Sequence, residues 1–153
     1  MQKIAPSFEV VVCDDGVNLK TVKFPDLASF SPGSCCFSLN AWSKIEAELN
    51  VKGARVKLVH TQDGRIAEFV LFEPNGWFEC LDFERSKVQY FDVPPFRVKW
   101  VDSLVLKDVP EAVEDIFRVD HLPTRLFCTE KFVQVVRKHK LTGFKFSRVS
   151  LSD

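Results

Sequence analysis

The sequence predicts an α+β protein, a mixed and mainly antiparallel sheet with two principal amphipathic helices packed on it. Three observations carry that expectation. Alternating apolar runs are separated by tight-turn chemistry at Asp14-Asp15-Gly16, Gln62-Asp63-Gly64 and Pro74-Asn75-Gly76. Two stretches instead repeat their apolar residues at helical spacing, each opened by a hydroxyl residue and followed by a glycine. A chain of 153 residues with 46% hydrophobic content can bury a sizeable core, so residues 1–153 are expected to form a single domain.

In chain order, "FEVVVC" (8–13) and "VNLKTVKF" (17–24) flank Asp14-Asp15-Gly16 and read as two antiparallel strands. Pro25, Pro32 and Gly33 punctuate a loop. Ser38 then caps a helix whose stripe is Trp42, Ile45 and Leu49, with Gly53 just past its end. "ARVKLVH" and "GRIAEFVLFE" form the next hairpin, and Pro74-Asn75-Gly76 turns the chain into "GWFECLDFERSKVQYFD" (76–92), two further strands. In "RIAEFVLF" and "WFECLDF" both alternating sets are apolar, which predicts central strands covered on both faces. After Pro94-Pro95, "FRVKWVDSLVL" reads as a strand and "VPEAVEDIFRV" as a short helix with proline in its first turn. The last segment offers a short strand, Thr129 as cap, a helix through about His139 with Phe132, Val133 and Val136 buried, Gly143, and a closing strand. The two capped segments share one order, strand end, cap, helix, glycine, strand, and so predict two similar units meeting in one sheet.

Lysine plus arginine and aspartate plus glutamate each number 21, so the basic excess of a general nucleic-acid binder is missing. The start "MQKIAPSFEVVVCDDG" lacks the pattern of a secretory signal and no apolar run is long enough for a bilayer, so the protein is expected in the cytoplasm, away from membranes. Cys13, Cys35, Cys36, Cys80 and Cys128 are scattered without a C-x-x-C pair and read as reduced, buried thiols. His60, His121 and His139 share no ligand spacing.

Within 76–92 the pair Asp82 and Glu84 raises the question of chemistry, because side chains two apart on a strand share a face. Two such acids with His60 or His121 could hold a metal for hydrolysis. No H-E-x-x-H, G-x-S-x-G, phosphate loop or dinucleotide fingerprint supplies the rest of a mechanism, so no catalytic residue, metal or cofactor is assigned. Asp82 and Ser86 read more simply as residues fixing a turn by local hydrogen bonds.

The succession "FECLDFERSKV" (78–88), "VKWVDSLVL" (98–106), "EDIFRV" (114–119), "RLFCTEKFVQVV" (125–136) and "LTGFKFSRV" (141–149) resembles the immunity protein 11 family of bacterial polymorphic toxin systems. "FPDLASFSPGSCCFSLNAWSKIEAEL" (24–49) fits that family more loosely. The resemblance implies a non-catalytic protein that binds a cognate toxin effector, of the kind delivered by contact-dependent or type VI secretion systems. A small adaptor binding some other protein is the alternative.

Partner-binding candidates come from surface chemistry. Asp108, Glu111, Glu114 and Asp115 form an acidic set, the last three on neighbouring positions of the expected helix, suited to the cationic clefts of toxins that act on nucleic acids or nucleotides. The plain alternative is a solvated helix face. Trp77 beside a hairpin tip can anchor an interface or fill a core. Glu46 and Glu48 sit near a helix C-terminus, where the dipole disfavours them, so something other than helix stability retains them. "RKHK" (137–140) lies in a last helical turn, where cations complement the dipole.

Overall fold

Ser38 begins the first helix as its sequence neighbourhood requires. Its hydroxyl accepts the Ala41 N–H at 3.1 Å and donates to the Asp26 carboxylate at 2.8 Å, so one side chain both caps the helix and ties it to a residue 12 positions earlier in the chain. A computed structural model of the chain describes residues 10–11, 26–28, 34–62, 65–111 and 113–152. Over these the order is β1 (Val10–Val11), β2 (Leu27–Ala28), β3 (Cys35–Ser38), α1 (Leu39–Glu48), β4 (Gly53–Gln62), β5 (Arg65–Pro74), β6 (Trp77–Phe78), β7 (Lys87–Tyr90), β8 (Val98–Ser103), β9 (Val105–Leu106), β10 (Ile116–Val119), β11 (Phe127–Cys128), α2 (Glu130–Lys138) and β12 (Ser150–Leu151). Two helices and mostly antiparallel pairing make this an α+β fold, as the sequence predicts.

Among the described residues the strands form four sheets rather than one. A five-stranded sheet runs β1-β4-β5-β3-β2, a three-stranded one β11-β10-β6, and β12-β9 and β7-β8 pair separately. β4 and β5 pair antiparallel from Gly53↔Pro74 to Gln62↔Arg65, while the turn residues Asp63 and Gly64 lie outside the described residues. β5 lies between β4 and β3, the central place its two apolar faces predict. β6 is instead an edge strand and ends at Phe78, so "WFECLDF" is not one central strand. The hairpin around Asp14-Asp15-Gly16 and the loop of Pro25, Pro32 and Gly33 lie outside the described residues, except that Val10–Val11 pair parallel with β4.

Two buried clusters hold these elements. In the first, Trp42, Ile45 and Leu49 of the α1 stripe meet Phe37, Val70 and Phe72 of the sheet, and Phe132, Val135 and Val136 of α2. Trp42 lies 5.2 Å from Phe72 and 5.6 Å from Phe37, ring centre to ring centre. Phe37 and Phe72 are fully buried, and each contributes about 2–3 kcal/mol by leaving water. The second cluster gathers Cys80, Leu81, Val101, Leu106, Phe117, Val119, Leu122 and Phe127. β10 joins the two, with Ile116 in the first and Phe117 and Val119 in the second.

This double burial corrects the expected helix over "VPEAVEDIFRV". Residues 113–115 are irregular and Ile116–Val119 form a strand, because alternation sends β-branched and aromatic side chains into both clusters. The spacing of Glu111, Glu114 and Asp115 therefore describes no helix face. Gly53 is also reassigned. α1 ends with extended Leu49, whose N–H reaches Ile45 O at 3.0 Å, and Gly53 opens β4. A Cβ there would stand 2.1 Å from the Glu73 carbonyl oxygen, so glycine is needed for close approach of backbone to backbone.

The two capped segments do not end alike. Thr129 caps α2 by accepting from Phe132 N–H at 3.3 Å, but residues 141–149 form no strand and only Ser150–Leu151 pair, parallel to β9. That stretch is held by rings: Phe144 stacks on Phe146 at 6.0 Å and both meet Phe132. β3 and β11 also belong to different sheets, so the predicted pair of equivalent units in one sheet is not formed. "FRVKWVDSLVL" divides into β8 and β9 at Leu104.

Candidate interaction surface

The carboxylate pair that suggested chemistry is divided by a turn. Asp82 Oδ1 accepts the N–H groups of Glu84 and Arg85 at 3.1 and 3.0 Å, and the Asp82 carbonyl accepts Ser86 N–H at 2.9 Å. Ser86 Oγ then exchanges two bonds with Val105, at 3.1 Å as donor and 2.9 Å as acceptor. The Ser152 hydroxyl donates to Asp82 Oδ2 at 2.8 Å, which draws the end of β12 onto the same turn. Asp82 is buried and Glu84 exposed, so they do not share a strand face. Among the described residues no three His, Cys, Asp or Glu side chains converge as metal ligands would.

The Ser152 hydrogen bond, with those from Arg85 and Glu84, outweighs burial and holds the Asp82 carboxyl below its ordinary value of 3.8. A depressed pKa contributes stability fully present above about pH 3.8 and lost as pH falls through the folded value. Asp82→Asn is therefore expected to flatten the loss of stability between pH 5 and 2. Urea titrations of both proteins across that range check it; parallel curves would contradict the assignment.

The acidic set does not converge on one surface. Asp115 is buried: its carboxylate accepts Asn50 N–H at 2.7 Å and the Thr129 hydroxyl. It is a structural link and leaves the list of contact residues. Glu111 is exposed, while Glu114 lies half-buried against the position a Cβ on Gly76 would occupy, 2.9 Å from its Oε2. Asp108, at φ 50°, lines a shallow groove of about 220 Å³ with Leu106, Lys107, Val109, Leu151 and Ser152. Trp77 is 43% exposed, and the Arg118 guanidinium stands over its ring at 5.1 Å.

Glu46 and Glu48 are retained for reasons outside their own helix. Glu46 pairs with Arg55 of β4, whose guanidinium covers the Trp42 ring at 4.9 Å. Glu48 accepts from Lys138 Nζ at 2.9 Å and bonds His139 Nε2 at 2.5 Å, joining α1 to the end of α2. Those bonds, Lys138 first, hold the Glu48 carboxyl below its usual range. Lys138 and His139 of "RKHK" thereby have a structural partner. The described cysteines are free thiols; burial pushes Cys35 up to about 12 and Cys128 to about 11, and raises Cys36 and Cys80. Cys13 and the side chain of His60 lie outside the described residues. His121 is exposed, its ring 5.2 Å from Phe83.

Sequence reasoning places strands on both sides of Pro94-Pro95, where β7 and β8 stand, but misses the exposed apolar tip of their hairpin. Every residue from 89 to 97 is exposed, and Tyr90, Phe91, Val93, Phe96 and Trp100 supply five of the ten large exposed hydrophobics among the described residues. The available signal was "YFDVPPF", apolar residues on both sides of a proline pair where a polar turn is usual.

On the surface of this small α+β scaffold these elements leave an apolar tip, an exposed Trp77 and separated acids. Residues 77–150 match the model of the Immunity protein family (Imm11). The family resemblance carried by the motifs between 78 and 149 is thus found over that span, which holds β6 through α2 and the turn at Asp82; the looser fit at 24–49 lies outside it. No curated protein matches the chain. No helix among the described residues is long and apolar enough to cross a membrane.

Proposed function

We propose that this chain is an immunity protein: it acts as one unit in the cytoplasm, binds a cognate toxin effector delivered by a type VI or contact-dependent system, and neutralises it by covering its active site. The observation that carries the reading is the match to the Immunity protein family over residues 77–150. Occlusion asks for a broad complementary surface and no chemistry in the inhibitor, which accords with Asp82 being committed to a turn. The exposed acids Asp108 and Glu111, with half-buried Glu114, steer the approach of cationic parts of the toxin. Trp77, exposed and next in sequence to Gly76, against which Glu114 lies, adds apolar contact area.

The test is co-expression with the toxin domain encoded next to this chain's own gene. The intact chain is expected to restore growth and to co-purify with the toxin; no rescue would sink the reading. In the same pair, Glu111→Lys/Glu114→Lys is expected to slow association three- to tenfold at low salt, as rim charges do, and to weaken its salt dependence. Unchanged association kinetics would remove the acids from the interface.

A further inference from the structure

We infer that the β7–β8 hairpin is the anchor of that interface, inserting an aromatic tip into a cleft of the partner protein that is apolar within and ringed by carboxylates. The inference rests on the immunity reading and adds where the contact is made and what chemistry receives it. An antiparallel hairpin lying on a core ordinarily turns polar residues to solvent. Here the inner face is apolar, with Val88, Val98 and Val101 packed on the second cluster, and the outer end is apolar as well. Tyr90 and Phe91 are each 48% exposed, Phe96 57%, Trp100 56% and Val93 67%. Water contact over so much clustered apolar surface is unfavourable unless something covers it.

The tip is set in advance. Phe91 N–H reaches Arg97 O at 2.9 Å and Phe96 N–H reaches Val93 O at 3.0 Å, closing the loop, while two adjacent prolines restrict its backbone. The pairing shifts between Gln89 and Tyr90, so Lys99 is left over as a bulge and Trp100 is turned outward opposite Gln89. Arg125 braces Trp100: its guanidinium stands over the ring, 5.1 Å from its centre, and Nη2 donates to Val101 O at 3.3 Å. Phe96 occupies φ 37°, a value a bulky side chain adopts only under strain, and such strain gathers at sites of function. A loop already ordered loses less entropy on binding.

Charge selects the occupant. Lys87, Arg97, Lys99 and Arg125 accompany the aromatics against Asp92 and Asp102, a local excess of two positive charges on a chain that is balanced as a whole. Among the described residues none of the four cations pairs with a carboxylate. A second copy docking tip to tip would bring like charges together. Asp92, between Phe91 and Val93, would carry its charge into the apolar layer with any insertion of the tip into lipid, a cost that a protein cleft offering hydrogen-bond donors avoids. A protein cleft with an acidic rim satisfies both the rings and the cations.

The experiment titrates the purified toxin domain encoded beside this gene with full-length chain and its variants. Phe91→Ser/Phe96→Ser and, separately, Trp100→Ala are expected to bind at least about thirtyfold more weakly, as interface anchors do. Arg97→Glu/Lys99→Glu should slow association about tenfold. Phe96→Gly relieves the strained φ, so it should keep or raise Tm while still losing affinity, a divergence that a merely structural residue would not give. Wild-type affinity in Phe91→Ser/Phe96→Ser would overturn the inference and leave the immunity reading standing. Two other results would also overturn it: binding of the free chain to phosphatidylglycerol vesicles that the same variant abolishes, or a wild-type dimer in light scattering that the variant dissociates. If the unaltered chain neither binds nor neutralises the toxin, the immunity reading itself fails and the inference with it.

Discussion

Asp115→Ala is expected to lower stability by about 2–3 kcal/mol, the range for a buried charged acceptor removed from its donors. The carboxylate takes Asn50 N–H from the loop between α1 and β4 and the Thr129 hydroxyl that caps α2. Its backbone continues the link, with Asp115 N–H on Asn50 O at 2.9 Å and Thr129 N–H on Asp115 O at 3.1 Å. One residue before the two-sided strand β10 thus fastens the first half of the chain to the family-matched half. Asp115→Asn keeps one acceptor and should cost about half as much. Glu114→Ala, one position away but half-buried and without those bonds, should change stability by less than about 0.5 kcal/mol. Urea unfolding of the three variants checks the ranking. A D115A variant as stable as E114A would remove the link from the account.

Gly53→Ala is expected to cost about 3 kcal/mol, the upper end of the usual range for forcing an added carbon into a close-packed site. The new methyl would meet the Glu73 carbonyl at 2.1 Å and the Phe72 ring at 2.6 Å, and a backbone oxygen cannot swing aside as a flexible side chain can. The end of the β4–β5 ladder must shift, and with it Phe72, whose ring packs on Trp42. Trp42 fluorescence should therefore change along with Tm. An alanine variant that melts within a degree of the parent would show that the strand ends separate more easily than their packing implies.

Local chemistry was legible in the sequence and long-range pairing was not. Ser38 and Thr129 could be read as caps because the N–H groups they satisfy lie three residues away. The turn at Asp82 was legible for the same reason, but its bond to Ser152 spans 70 residues and left no local trace. "VPEAVEDIFRV" reads as a helix because proline and acid spacing favour one locally, while the decisive fact, that Ile116 and Phe117 face separate clusters, exists only after folding. Glu46 and Glu48 could be recognised as misplaced for their helix; Arg55, Lys138 and His139 as their partners could not. Among the acids proposed for contact, Asp115 could not be told from Glu114 by composition, since burial separates them. The hairpin tip went unread because an apolar residue in a sequence is first assigned to a core, and exposure is a property of the fold.

The measurement that bears most directly on neutralisation by binding is a titration of the purified toxin's activity with the purified chain, followed by intact-mass analysis of both. Activity should fall linearly to zero at a fixed molar ratio, with both masses unchanged and toxin activity recovered when the complex is dissociated. Inactivation by a small fraction of an equivalent, or a changed toxin mass, would mean that this protein performs chemistry on its partner and would contradict the account.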